Sequence, residues 1–104
     1  MKRLFFAIGI IFLCLLFSCG ETPETFKVIY HGNGSTSGFP PVDNQEYKSG
    51  EYAFVLYKGT LIRTGFQFDG WNTSPDDTGI HCASGSTIEI KNTNIFLFPT
   101  WKSE

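Results

Sequence analysis

Beyond Phe17 the chain has no apolar run longer than the six residues Tyr52 to Tyr57, so nothing there can cross a bilayer as a helix, which takes about 20 residues. It is also short of cysteine, with Cys14, Cys19 and Cys82 alone, and of clustered charge. The basic residues after the first three positions, Lys27, Lys48, Lys58, Arg63, Lys91 and Lys102, stand singly. That scatter excludes the basic patch with interleaved aromatics of a nucleic-acid binder, and it excludes a polybasic membrane segment. Helix-length stretches are scarce too. Gly32, Gly34, Gly38, Pro40, Pro41, Gly50, Gly59, Gly65, Gly70, Pro75, Gly79 and Gly85 cut the chain into pieces mostly too short for a stable helix.

What the chain does have is a charged, apolar and small-residue start. Lys2 and Arg3 precede an uninterrupted apolar stretch from Leu4 to Phe17, followed by Ser18 and Cys19. These are the regions of a secretory signal. The fourteen apolar residues rise by about 21 Å as a helix, against roughly 30 Å of hydrocarbon, so the stretch reads as a signal helix and not as a span. Cysteine directly after a small residue resembles the lipobox of bacterial lipoproteins, with Phe17 where that family has a small side chain. The resemblance implies lipid attachment, palmitate among the acyl chains, at Cys19 as first mature residue. Several chains at about 0.8 kcal/mol per buried methylene hold a small protein on a membrane more firmly than one can.

Residues 1–18 are therefore expected to leave as a lipoprotein signal peptide. Residues 19–25, polar and carrying Pro23, are expected to form a spacer, and residues 26–102 one domain. Loss of the signal removes two of eight basic and none of ten acidic residues, so six against ten gives a mature net charge of −4. With Cys14 removed and Cys19 on lipid, Cys82 has no partner and no disulfide framework forms. A domain of this size must then fold on an apolar core that is only marginally sufficient.

The remaining pieces favour strands. Phe26, Val28 and Tyr30 alternate with Lys27, Ile29 and His31, Phe66 and Phe68 alternate with Gln67 and Asp69, and Ile88 and Ile90 flank Glu89. That is the two-residue period of a half-buried strand. Tyr52 to Tyr57 and Ile95 to Phe98 are apolar on both faces and read as central or sandwiched strands. About five short strands in a single sheet result, a mainly β or small α+β fold. Val42 to Ser49, between Pro41 and Gly50, is the one place for a short helix. Pro99 cannot donate to a ladder, which puts that end of its strand at an edge or a bulge.

Gly65-Phe66-Gln67-Phe68-Asp69-Gly70-Trp71-Asn72-Thr73 resembles the most recognisable stretch of the internalin B-repeat, or Listeria–Bacteroides repeat. Val28 to Gly34 resembles that repeat's opening strand and glycine turn, and Leu97 to Trp101 its closing strand, with Pro99 in place of alanine. The resemblance spans Phe26 to Lys102 and implies a β-grasp-like module of secreted or surface-attached bacterial proteins, here in one copy. Physically, Gly65, Phe66, Phe68, Gly70, Trp71 and Trp101 read as a packing motif. Phe66 and Phe68 share a face, and the gap left by Gly70 is expected to receive a ring such as Trp71 or Trp101.

Chemistry is thinly represented. His81 and Cys82 are adjacent, but neighbours in a strand face opposite ways and share a proton poorly. Asn72, Asp76 and Asp77 lie in a glycine-bounded loop without the alternation or closing glutamate of a calcium loop, so a solvated turn is expected and no metal. Gly32-Asn33-Gly34 lacks the strand-to-helix context of a phosphate loop. No catalytic residue, no cofactor and no nucleic-acid partner is expected. The chain reads as a monomeric, membrane-anchored lipoprotein of the bacterial envelope, facing the surface or periplasm. Its module is expected to bind a protein or glycan in adhesion, or else to serve as a passive spacer, which an evenly polar surface would favour.

Overall fold

The computed structural model describes residues 24–104; the signal helix, Cys19 and the first part of the spacer lie outside the described residues. Six strands follow in order: β1 (Val28–Tyr30), β2 (Tyr52–Phe54), β3 (Phe66–Asn72), β4 (His81–Cys82), β5 (Thr87–Glu89) and β6 (Ile95–Ser103). The mainly β class is as the patterning indicates. The single sheet is not: β1, β6, β3 and β4 form one four-stranded sheet in that order, while β2 and β5 pair separately. β1 runs parallel to β6, with Val28 beside Ile95 and Tyr30 beside Leu97, and the other pairs are antiparallel.

The division into two layers has a physical cause. A sheet with one apolar face must cover it with another element, and no helix occurs among the described residues. The β2–β5 ribbon supplies the cover. Ala53 from its first strand and Val55 just past it, with Ile90 just past its second, join Val28, Tyr30, Trp71, Cys82 and Leu97 of the sheet in one buried cluster. Tyr52 and Phe54, on the other side of β2, are 62% and 69% exposed. The segment Tyr52 to Tyr57 is therefore a one-sided ribbon strand and an irregular continuation, and not a sandwiched strand.

Val42 to Ser49 forms no helix. The Asp43 carboxylate accepts the Gln45 N–H at 2.9 Å and the Tyr47 hydroxyl at 2.6 Å, and Tyr47 exchanges both backbone hydrogen bonds with Phe26 at 2.7 and 2.8 Å. An aspartate that captures nearby donors competes with helix, and extended pairing buries Tyr47 beside Phe26. Burial, then the Asp43 contact, pushes the Tyr47 hydroxyl up from its ordinary value near 10 to about 12.

β3 carries the fold's main irregularity. Phe68 pairs with Trp101 and Trp71 with Pro99, so three steps along β3 match two along β6, a bulge. Side chains three apart in a regular strand face opposite ways. The extra residue returns Trp71 to the side of Phe68, and the two rings meet edge-on at 5.1 Å. Gly70 supplies the bend with a φ of +91°, and an added Cβ there would lie 2.9 Å from the His81 ring. The gap at Gly70 thus receives the His81 imidazole. Pro99 faces this bulge beyond the end of β1, where its missing N–H costs little.

Leu56, just past β2, lies outside every strand, yet side chains satisfy both of its backbone groups. Tyr30 accepts its N–H at 2.9 Å, while the Trp71 indole and the Ser84 hydroxyl donate to its carbonyl at 2.8 and 2.9 Å. Trp71, wholly buried, thereby ties the irregular segment to the centre of the sheet.

Candidate functional site

The motif residues divide into two groups. Trp71 is enclosed in the core, whereas Phe66, Phe68 and Trp101 are only half-buried and form one side of an open groove of about 420 Å³. Strand pairing puts them there: Phe68 lies directly opposite Trp101, and Phe66 is two residues from Phe68 on the same face. The Phe68 and Trp101 rings meet edge-on at 5.9 Å, and Tyr57 stands edge-on to Phe68 at 5.6 Å. The Trp101 indole N–H donates to the Asn33 carbonyl at 3.0 Å, which fixes the ring's tilt. Gly65 has a φ of +83° and open space around it.

The segment from Tyr57 to Arg63 lines the groove as well. Its turns are local. Leu61 donates its N–H to the Lys58 carbonyl at 3.2 Å around Gly59, and Phe66 donates to the Arg63 carbonyl at 3.0 Å around Gly65. A turn with positive φ at its third residue needs glycine there. Closing it folds Arg63 back over the residue that follows, and its guanidinium sits 3.9 Å from the centre of the Phe66 ring. The Lys58 ammonium donates to the Leu61 carbonyl at 2.9 Å and lies 5.8 Å from the Tyr57 ring. Both cations are thus held by rings and carbonyls, and no acidic residue lines the groove. Lys102 borders it as well, from the strand position paired with Gln67.

The other sequence candidates are not brought together. His81 is exposed and Cys82 buried on the opposite face of β4, and burial pushes the Cys82 thiol up. The loop after β3 spends its acceptors internally. Asn72 accepts N–H groups from Ser74 and Gly79, both at 3.0 Å. Asp76 accepts hydroxyls from Ser74 at 2.5 Å and Thr78 at 2.6 Å, which hold its exposed carboxyl down to about 2. Asp77 instead accepts the Thr100 hydroxyl at 3.2 Å. Among the described residues no group of three or more His, Cys, Asp or Glu could hold a metal ion. His31 stacks flat on Phe98 at 4.7 Å.

Lys58 and Arg63 are what inspection of the sequence misses, because each stands alone there. A signal exists for Arg63: it precedes Phe66 across Thr64-Gly65, the spacing of a glycine turn. Lys58 has none, since the groove whose lining it shares with Phe68 and Trp101 is assembled from segments remote in the chain.

Comparison with known proteins places this geometry in a family. A protein of Evansella cellulosilytica, provisionally named a membrane protein, is 31% identical over 80 residues, which are 77% of this chain and 12% of that protein. The chain thus spans about an eighth of that relative's length. No solved structure matches the chain. Residues 26–97, which hold every strand but the end of β6, match the model of the Listeria-Bacteroides repeat domain, and the chain belongs to that family.

Proposed function

We propose that this chain is a lipid-anchored protein of the bacterial envelope whose repeat module binds a protein or glycan presented there. The observation that carries the binding role is the groove on the repeat's own motif, where half-buried rings and two ring-held cations stand open to solvent. Fixed rings with available polar edges are the usual material of recognition surfaces. The envelope location is supported by the signal-like start, by Cys19 in a lipobox-like setting, and by a relative whose name refers to a membrane. The polar stretch before Phe26 then holds the module off the bilayer.

A passive spacer is disfavoured by the uneven surface, on which Phe39, Phe54 and Ile80 are 79%, 69% and 71% exposed. We assign the module no catalytic step, because His81 and Cys82 diverge and no carboxylate pair faces the groove. Intact mass and membrane partitioning of the full chain against Cys19→Ala test the anchor. A mature mass beginning at Cys19 plus acyl chains, with both mass gain and partitioning lost in the variant, is expected. Identical soluble products from the two chains would refute the anchor and leave a secreted module.

A further inference from the structure

We infer that the groove lined by the Tyr57–Arg63 segment and the Phe66, Phe68 and Trp101 rings is a binding site for an acidic polysaccharide, a chain of sugar rings carrying carboxylate or phosphate groups. The inference rests on the envelope reading only for where such a ligand is met, and it specifies the ligand class of that site.

Charge distribution is the first support. Only six of the chain's basic residues lie outside the signal-like start, against ten acidic ones, yet three of the six, Lys58, Arg63 and Lys102, border this one groove and no acid does. A cationic pocket on an otherwise acidic molecule selects anions by local field and not by net attraction. The Arg63 guanidinium carbon sits 3.9 Å from the centre of the Phe66 ring, and a guanidinium so placed carries N–H donors of the geometry that grips an oxyanion in bidentate fashion. Among the described residues its side chain has no hydrogen-bond partner.

The rings supply the second support, and they favour sugar over peptide. Tyr57, Phe68 and Trp101 stand roughly perpendicular in sequence, with interplanar angles of 89° and 77°. Such a stepped wall offers separate faces and edges to the apolar C–H side of successive sugar rings. An extended acidic peptide would seek a free strand edge for its backbone. Beneath the groove, β3 and β6 spend their facing edges on each other from Phe66–Ser103 to Phe68–Trp101, so what they present to it is side chains. The hydroxyls and acid groups of a glycan need no strand edge.

The test is calorimetric titration of the full chain in detergent micelles with polygalacturonate oligomers, beside neutral dextran oligomers and poly-glutamate. Polygalacturonate is expected to bind, and dextran and poly-glutamate to bind at least tenfold more weakly. Affinity should fall about tenfold in Arg63→Gln, the loss of one charged contact, and comparably in Lys58→Gln. It should also fall as salt rises from about 50 to about 500 mM, which shortens screening to a few ångströms. Tyr57→Ser, at a 63% exposed position, should weaken binding without unfolding, whereas Lys48→Gln should change nothing. Dextran binding equally well would remove the acidic requirement. Equal binding of poly-glutamate would make the site one for acidic peptide, and indifference to Arg63→Gln and Lys58→Gln in chains with native tryptophan fluorescence would overturn the assignment. Membrane partitioning of the same preparations is scored separately, so a failed anchor and a failed groove give different results.

Discussion

The Leu56 carbonyl makes a quantitative prediction about how this small β domain holds its irregular segment. It receives two donors, the Trp71 indole at 2.8 Å and the Ser84 hydroxyl at 2.9 Å. Removing either one leaves the carbonyl bonded; removing both orphans it. Trp71→Phe keeps a ring between Tyr30 and Phe68, and should cost about 1 kcal/mol for the lost hydrogen bond plus about 1 kcal/mol for the lost apolar area. Ser84→Ala, with the indole still in place, should cost about 0.5–1 kcal/mol. In the double variant a half-buried carbonyl loses its last protein donor, a penalty of about 1–3 kcal/mol when burial is complete and nearer the lower limit here. The pair should therefore destabilise by about 1 kcal/mol more than the sum of the single changes. Urea denaturation of the four chains closes the cycle. A domain of about 80 ordered residues has roughly 4–12 kcal/mol of stability, enough for the double variant to show a transition. Additivity within about 0.5 kcal/mol would mean that the two donors act independently, and the shared-carbonyl reasoning would be wrong.

Gly38 and Gly50 should separate backbone strain from collision. Both have positive φ, +85° and +93°, but a Cβ at Gly38 would lie 1.9 Å from the Thr60 carbonyl oxygen while Gly50 faces open space. Alanine at Gly50 should cost about 1–2 kcal/mol of conformational strain, and alanine at Gly38 distinctly more, in melts read side by side; equal losses would contradict the close approach. Raised from near 10 to about 12, the Tyr47 hydroxyl binds its proton more tightly in the folded chain than in the unfolded one. Its contribution is complete below about pH 10 and is lost as pH climbs toward 12. Tyr47→Phe should flatten the alkaline fall in stability over that window, and an unchanged slope would argue against the burial and the Asp43 contact that together raise the hydroxyl. Cys82, 5% exposed with its thiol pushed up by burial, should resist alkylation in the native chain and react once denaturant is added. Peptide mass mapping that found Cys82 alkylated before unfolding would count against its burial.

The strand content of this protein is legible in its residues, because two-residue alternation and dense glycine and proline determine local geometry without reference to anything distant. So is the family, since the Gly-Phe-x-Phe-x-Gly-Trp stretch is contiguous. The helix expected at Val42 to Ser49 fails because Asp43 takes the Gln45 N–H and Phe26 takes both backbone groups of Tyr47 away from it, and Phe26 is too far along the chain to weigh in a local window. Tyr52 to Tyr57 misleads for a related reason: periodicity tells which residues share a face, not whether another layer covers that face. Only the folded chain decides that the ribbon lies over the sheet, that the β3 bulge turns Trp71 inward, and that the Gly70 gap receives His81. The groove belongs to the same class. Its aromatic side can be anticipated from the motif and Arg63 from its glycine turn, but Lys58 and Arg63 come to share a groove with Trp101 and Lys102 only when the pairing of β3 with β6 brings the end of the chain back beside its middle. Contacts between distant segments create that site, and no local pattern encodes them.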